Sequence, residues 1–110
     1  MLLDNFNEGI YIVYVKYIRF TWDENKSKEN HEKHGISFEE AKSIFYDPIA
    51  RLIFDPDHSA DEDRFIMLGM SHRLRVLIVC HCYKEKEELI RIISARKATT
   101  SERKIYERRR

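Results

Sequence analysis

The chain has 110 residues, 43% of them hydrophobic and 35% charged, which suits one domain with one core, leaves no room for two, and excludes a disordered chain. A formal net charge of +1 excludes a globally basic nucleic-acid binder, so any affinity for phosphate has to arise from where the charges are placed. Cys80 and Cys82 stand two apart on one strand face, a geometry unfavourable for a disulfide. With reduced thiols, no secretory signal and no apolar run long enough to span a bilayer, the expectation is a cytoplasmic protein without a membrane role.

Met1 to Gly9 shows little periodicity. Ile10 to Phe20, IYIVYVKYIRF, is rich in strand formers, apolar on both faces and interrupted by Lys16 and Arg19, so it reads as an edge or central strand rather than an anchor. Asp23 can cap a helix over Glu24 to His34, and Gly35 stops it because glycine tolerates the left-handed conformation. That helix, ENKSKENHEKH, has no apolar residue, so no hydrophobic stripe can dock it and polar contacts or a partner have to. Lys26, Asn30, Lys33 and His34 share one broad face through their three- and four-residue spacing. This face is either phosphate-binding or a solvated surface with local ion pairs.

Ser37 opens a second helix with S-F-E-E, where Glu40 completes a capping box, and Phe38, Ala41, Ile44 and Phe45 recur at helical spacing toward a sheet. Asp47-Pro48 ends it. Ile49 to Phe54 reads as a short strand, followed by an acidic connection with Asp55, Asp57, Asp61, Glu62 and Asp63 around His58. The run lacks the glycine and terminal glutamate of a calcium loop, so a polar connection is expected rather than a metal site, with His58 able to reach an adjoining site.

Arg64 to Leu68 and Leu74 to Tyr83 predict a hairpin, with Leu77, Val79, His81 and Tyr83 on one face and Ile78, Cys80 and Cys82 on the other. His81 is either a hydrogen-bonded core residue or a site group. A turn at Lys84 to Glu88 leads into the strand Leu89 to Arg96, completing a meander of three or more antiparallel strands. Arg91 and Arg96, five positions apart on that strand, are expected on opposite faces. Thr99 and Glu102 offer a capping box for a last helix docked by Ile105, with Tyr106 packing or turning its hydroxyl toward Arg96. From Leu89 onward Arg91, Arg96, Lys97, Arg103, Lys104, Arg108, Arg109 and Arg110 stand against only Glu102 and Glu107. This cationic end attracts phosphate, with Arg108 to Arg110 read as tail.

FTWDENKSKENHEKHGISFEEAKSIFYDP, DPDH with RFIMLG, RVLIVCH, and IRIISARKATTSERKIYE, in that order and spacing, closely resemble the BrnT family of bacterial toxins; KHGISFEEA and RIISARKAT are the most specific pieces. The resemblance spans about Phe20 to Glu107, leaving 1–19 as an N-terminal or first-strand extension and 108–110 as a basic tail. It implies an α+β, RelE-like small domain: an antiparallel sheet with two N-terminal helices and a C-terminal helix. It also implies a ribonuclease that arrests translation, without cofactor, and a BrnA-like antitoxin with a ribbon-helix-helix domain, through which alone the toxin reaches operator DNA.

Metal-independent cleavage in such toxins implies attack by the ribose 2′-hydroxyl on the adjacent phosphate. The protein then removes that proton, stabilises the phosphorane and protonates the leaving oxygen. Arg96 is the first choice for the phosphorane, with Arg64 as a second clamp and Arg91 as a further candidate. For proton transfer the candidates are His34, His58 and His81, with Tyr106 able to serve beside nearby cations, while Lys26, Asn30, Lys33, His34 and His58 are expected along the RNA. The different class of reading is a non-catalytic module that binds a partner through its basic end.

Overall fold

The computed structural model describes residues 18–54, 64–84, 86 and 88–108. The leader, most of the first expected strand, the acidic connection with His58, and Arg109 and Arg110 lie outside them. The elements are β1 (Arg19–Thr21), α1 (Glu24–His34), α2 (Phe38–Ser43), a 3₁₀ turn (Ile44–Tyr46), β2 (Arg51–Phe54), β3 (Phe65–Met70), β4 (Val76–Lys84), β5 (Leu89–Lys97) and α3 (Thr100–Arg108). They form the mixed α+β fold expected, with two helices before the main sheet and one after it.

The sheet order is β1-β5-β4-β3-β2. The last four strands make the antiparallel meander, but β1 joins β5 in parallel, Arg19 beside Leu89 and Thr21 beside Arg91. A parallel neighbour requires a crossover, and here the helices and the meander supply it. Phe38, Ala41 and Ile44, as the helical spacing predicts, and with them Ile36 from the link between the helices are buried against Leu77, Val79, Ile90, Ile92 and Ala95 on one face of the sheet. Gly69 allows the close approach of the 3₁₀ turn, since a Cβ there would stand 3.1 Å from the Ala50 Cβ and 3.2 Å from the Ile44 Cβ.

Both ends of α1 match the sequence reading: the Asp23 carboxylate accepts from the amides of Asn25 and Lys26, and Gly35 takes φ +74°. The apolar-free helix is docked by polar groups. Asn30 is buried; its Nδ2 donates to the carbonyls of Ile36 and Ala95, both at 2.8 Å, and its Oδ1 accepts from the Ala95 amide at 3.1 Å. Because the N–H and C=O of one strand residue point to the same edge, the carboxamide stands in for a neighbouring strand's peptide beyond the end of β1. Ser27 adds a second tie by accepting from the Phe38 amide at 3.3 Å.

At α2 only half of the expected capping box forms. Ser37 accepts from the Glu40 amide at 3.0 Å, but the Glu40 carboxylate turns to the Ser71 hydroxyl, at 2.7 Å, and to the Nε, at 3.0 Å, and Nη2 of Arg75. Burial pushes this carboxyl upward, yet the hydrogen bonds from Arg75 and Ser71 and the charges of Arg75 and Arg73 hold it below its ordinary value. The box at α3 is complete: Thr99 accepts from the Glu102 amide at 3.2 Å, and Glu102 accepts from the Thr99 amide at 2.8 Å. Tyr106 rather than Ile105 docks this helix. Tyr106 is buried with Leu68, Ile78 and Ala98 on the sheet face opposite α1 and α2, whereas Ile105 is 39% exposed.

Candidate nucleic-acid interface

One irregularity in β5 decides which arginines act together. Cys80 pairs with Ser94, but the next residue of β4, His81, pairs with Ile92, so Ile93 is an extra residue in β5. Such a bulge shifts the alternation of side chains by one. Arg96 opposite Ile78 and Arg91 opposite Cys82 therefore share a face, correcting the expectation that they are on opposite faces. It is the face on which Ile78 packs with α3.

By the same register Ser94 and Lys84 lie on this face, with Arg19 and Thr21 on β1 and Arg51 on β2. Arg64, immediately before Phe65, continues it by alternation. Among the described strand residues this face carries no carboxylate. Sequence reasoning missed Arg19, Arg51 and Lys84 because placing them requires knowing which strands pair; period-two alternation alone does not align separate strands.

The bulge also joins this face to α1. Ile93 and Ser94 line a groove of about 220 Å³ with Lys26, Glu29, Asn30, Lys33 and His34. Lys26, Lys33 and His34 are exposed, but the Asn30 amide is committed to backbone, so Asn30 positions the helix rather than offering its donors to a ligand.

Arg96 forms a two-pronged ion pair with Glu102, Nη1 to Oε1 at 2.9 Å and Nη2 to Oε2 at 3.0 Å. Nη1 also donates to the Lys97 carbonyl at 3.2 Å. The Arg96 hydrogen bonds hold the Glu102 carboxyl down at about 2, against the opposing effect of burial and with help from Thr99. Tyr106 does not turn to Arg96. Its hydroxyl donates to the Asp47 Oδ2 at 2.6 Å, where the Met70 amide also donates at 2.8 Å. Beside this pair a cleft of about 340 Å³ is lined by Ser43, Tyr46, Met70, Ser71 and His72 as well; the exposed His72 is an imidazole to which the sequence reading gave no role.

His81 is separated from the arginines by the thickness of the sheet. It is 0% exposed, with ring centroids of Phe45 at 4.8 Å, Tyr83 at 5.2 Å and Phe65 at 6.2 Å. Burial lowers its pKa from 6.5 to about 4, only partly opposed by the Val79 carbonyl. It is thus a neutral core imidazole at neutral pH. Between pH 6.5 and about 4 the unfolded chain binds a proton that the folded one refuses, so stability falls as pH drops through that window. The variant His81→Phe loses this contribution to the slope, as measured by urea denaturation at several pH values across the window.

No group of three or more His, Cys, Asp or Glu side chains among the described residues is arranged to hold a metal ion. None of the described helices is long and apolar enough to cross a membrane.

The family model for "Ribonuclease toxin, BrnT, of type II toxin-antitoxin system" matches residues 22–102. The chain belongs to the BrnT toxin family. With that membership come the coarse activity, a ribonuclease toxin, and the coarse partner, an antitoxin. The fold agrees: the crystal structure of the Brucella abortus ribonuclease toxin BrnT is similar at a TM-score of 0.57 and 22% identity, covering 76% of this chain and 99% of that one. No curated protein sequence matches the chain. The BrnT match encloses α1, α2, the meander and both arginines of the β5 face.

Proposed function

We propose that this BrnT-family chain is an endoribonuclease that cleaves RNA without a metal ion, by 2′-hydroxyl attack on the neighbouring phosphate, and that a BrnA-like ribbon-helix-helix antitoxin neutralises it. The observation that carries the reading is the bulge at Ile93, which aligns Arg91 and Arg96 on a face whose described strand residues include no carboxylate, the one on Arg96 coming from Glu102 of α3, and which sets Ser94 of that face in the groove with Lys26, Lys33 and His34 of α1. We take 20–107 as the toxin domain, 1–19 as an extension that ends in β1 at Arg19, and 108–110 as a basic tail that starts at the last residue of α3.

In this reading the RNA backbone runs from Lys26, Lys33 and His34 across Ser94 to the arginines, with His58 contributing from the acidic connection. Arg96 receives the phosphate under attack and Arg91 its neighbour, with Arg64 as a second clamp. Planar, permanently charged guanidinium groups suit the phosphorane, whose extra negative charge exists only in the transition state. Asn30 enters as the residue that places α1, and Tyr106 as the one that places α3. Operator DNA is reached only through the antitoxin.

The test is incubation of the antitoxin-free protein with total RNA in EDTA. The expected result is cleavage leaving 2′,3′-cyclic phosphate ends. Loss of cleavage in EDTA overturns the metal-free step, and binding without cleavage, with or without added magnesium, favours the non-catalytic module.

A further inference from the structure

The groups on the cationic face invite an anion, and one is already on Arg96. Glu102 reaches it from the first turn of α3 and meets both terminal guanidinium nitrogens, at 2.9 and 3.0 Å. This is the two-pronged geometry in which arginine also holds two phosphate oxygens. Arg96 keeps 42% of its side chain exposed and Glu102 keeps 28%, so neither is sealed in the core and the pair is reachable from solvent.

We infer that Glu102 is a built-in phosphate mimic: in the free protein it holds the position on Arg96 that an RNA phosphate takes, and a phosphate reaches that position only by displacing it. This rests on the RNA-cleaving reading above. Displacement is feasible because Glu102 has a second anchorage, the Thr99 amide at 2.8 Å, which keeps its carboxylate hydrogen-bonded after Arg96 turns away. A phosphate that approaches the remaining Nε edge instead meets the same carboxylate at close range and is repelled. By either route Glu102 opposes the ligand, favouring polyanions with several phosphates over single anions, since contacts elsewhere on the face have to offset the exchange. The role is one of positioning and selectivity, and Glu102 takes no part in bond making.

The experiment measures binding of a short, uncleavable 2′-O-methyl RNA oligonucleotide by fluorescence anisotropy at several salt concentrations. Glu102→Gln keeps an acceptor suited to a capping box but lacks the charge, and is expected to bind about five- to tenfold tighter, with a salt dependence steeper by roughly one phosphate contact. Glu102→Ala, which retains the Thr99 hydroxyl bond to the backbone amide of residue 102, provides the second variant and is expected to gain similarly. Thr99→Ala loosens the helix start while leaving the ion pair, and is expected to show no gain. In an Arg96→Ala background the Glu102→Gln gain is expected to vanish.

Unchanged or weaker binding by both Glu102 variants, an equal gain from Thr99→Ala, or a gain that survives without Arg96 overturns the mimic. If the wild-type protein neither binds nor cleaves RNA, the proposed function itself fails. If it does both and only the gain is missing, the mimic alone fails.

Discussion

Replacing Arg75 by alanine destabilises the fold by about 3–5 kcal/mol, the expected effect of leaving a buried carboxylate without its cation. The Glu40 side chain is 3% exposed and that of Arg75 27%, so the two ends of this ion pair are not equivalent. Once Arg75 is gone, Glu40 keeps only the Ser71 hydroxyl at 2.7 Å as a described side-chain donor. Once Glu40 is gone, Arg75 can still turn to water, so Glu40→Ala destabilises less. Urea denaturation at pH 7 ranks the two variants; equal losses remove the argument from burial. The pH response provides an independent check. In the wild type the lowered Glu40 pKa means that stability is lost as pH falls through the acid range below 4.5. In Arg75→Ala burial dominates and raises that pKa, so acidification from neutral pH relieves part of the damage. The physical reason for the pair is position: Glu40 belongs to α2, Ser71 and Arg75 to the turn between β3 and β4, and Arg75 also donates to the Gly35 carbonyl at 3.3 Å. One buried cluster thus fixes the end of α1, the start of α2 and the hairpin together.

Arg96→Ala is expected to lower RNA cleavage by about 10²–10³-fold, in the range found for removal of one transition-state donor, while changing stability by only about 0–1 kcal/mol because its ion pair with Glu102 is partly exposed. Arg96→Lys keeps the charge but loses the planar fork, and recovers binding more than turnover. Arg91→Ala weakens RNA binding and reduces the salt dependence by roughly one contact. The measurement is single-turnover cleavage alongside anisotropy, with circular dichroism to establish folding. Wild-type turnover by folded Arg96→Ala would falsify its assignment to the phosphorane. The contrast with Arg75 is informative, since two arginines of one small protein are expected to fail in opposite ways. One holds a buried anion and supports the fold; the other is partly exposed and is expected to support the chemistry.

Much of the architecture is legible in local sequence because its signals need only a few neighbouring residues. Asp23 and Gly35 delimit α1, Thr99 and Glu102 start α3, and the alternation in β4 separates Leu77, Val79 and His81 from Ile78, Cys80 and Cys82. The absence of any apolar residue from α1 correctly demands a polar attachment. Which residue provides it is not legible: Asn30 looks like one more polar group on a helix surface, and its partner Ala95 lies 65 positions away. The same holds for Tyr106, whose aromatic ring announces burial but whose hydroxyl finds Asp47 across 59 positions. His81 illustrates a choice that local pattern leaves open. Alternation puts it on the helix side of the sheet, but only the closure of Phe45, Phe65 and Tyr83 around it makes it a core residue.

The sequence by itself determined the family through the order of its motifs, the helix boundaries through caps, and the excess of cations in the last strand and helix. Tertiary structure alone decided how those cations combine. The extra residue at Ile93 reverses the alternation between Arg91 and Arg96, and a bulge is a property of two paired strands, so neither strand's own periodicity reveals it. The parallel docking of β1 adds Arg19 to that face, the fold of α3 brings Glu102 onto Arg96, and the carboxamide of Asn30 closes the edge of β5. Each depends on groups distant in the chain meeting at hydrogen-bonding distance, a condition set by packing rather than by any single stretch of residues.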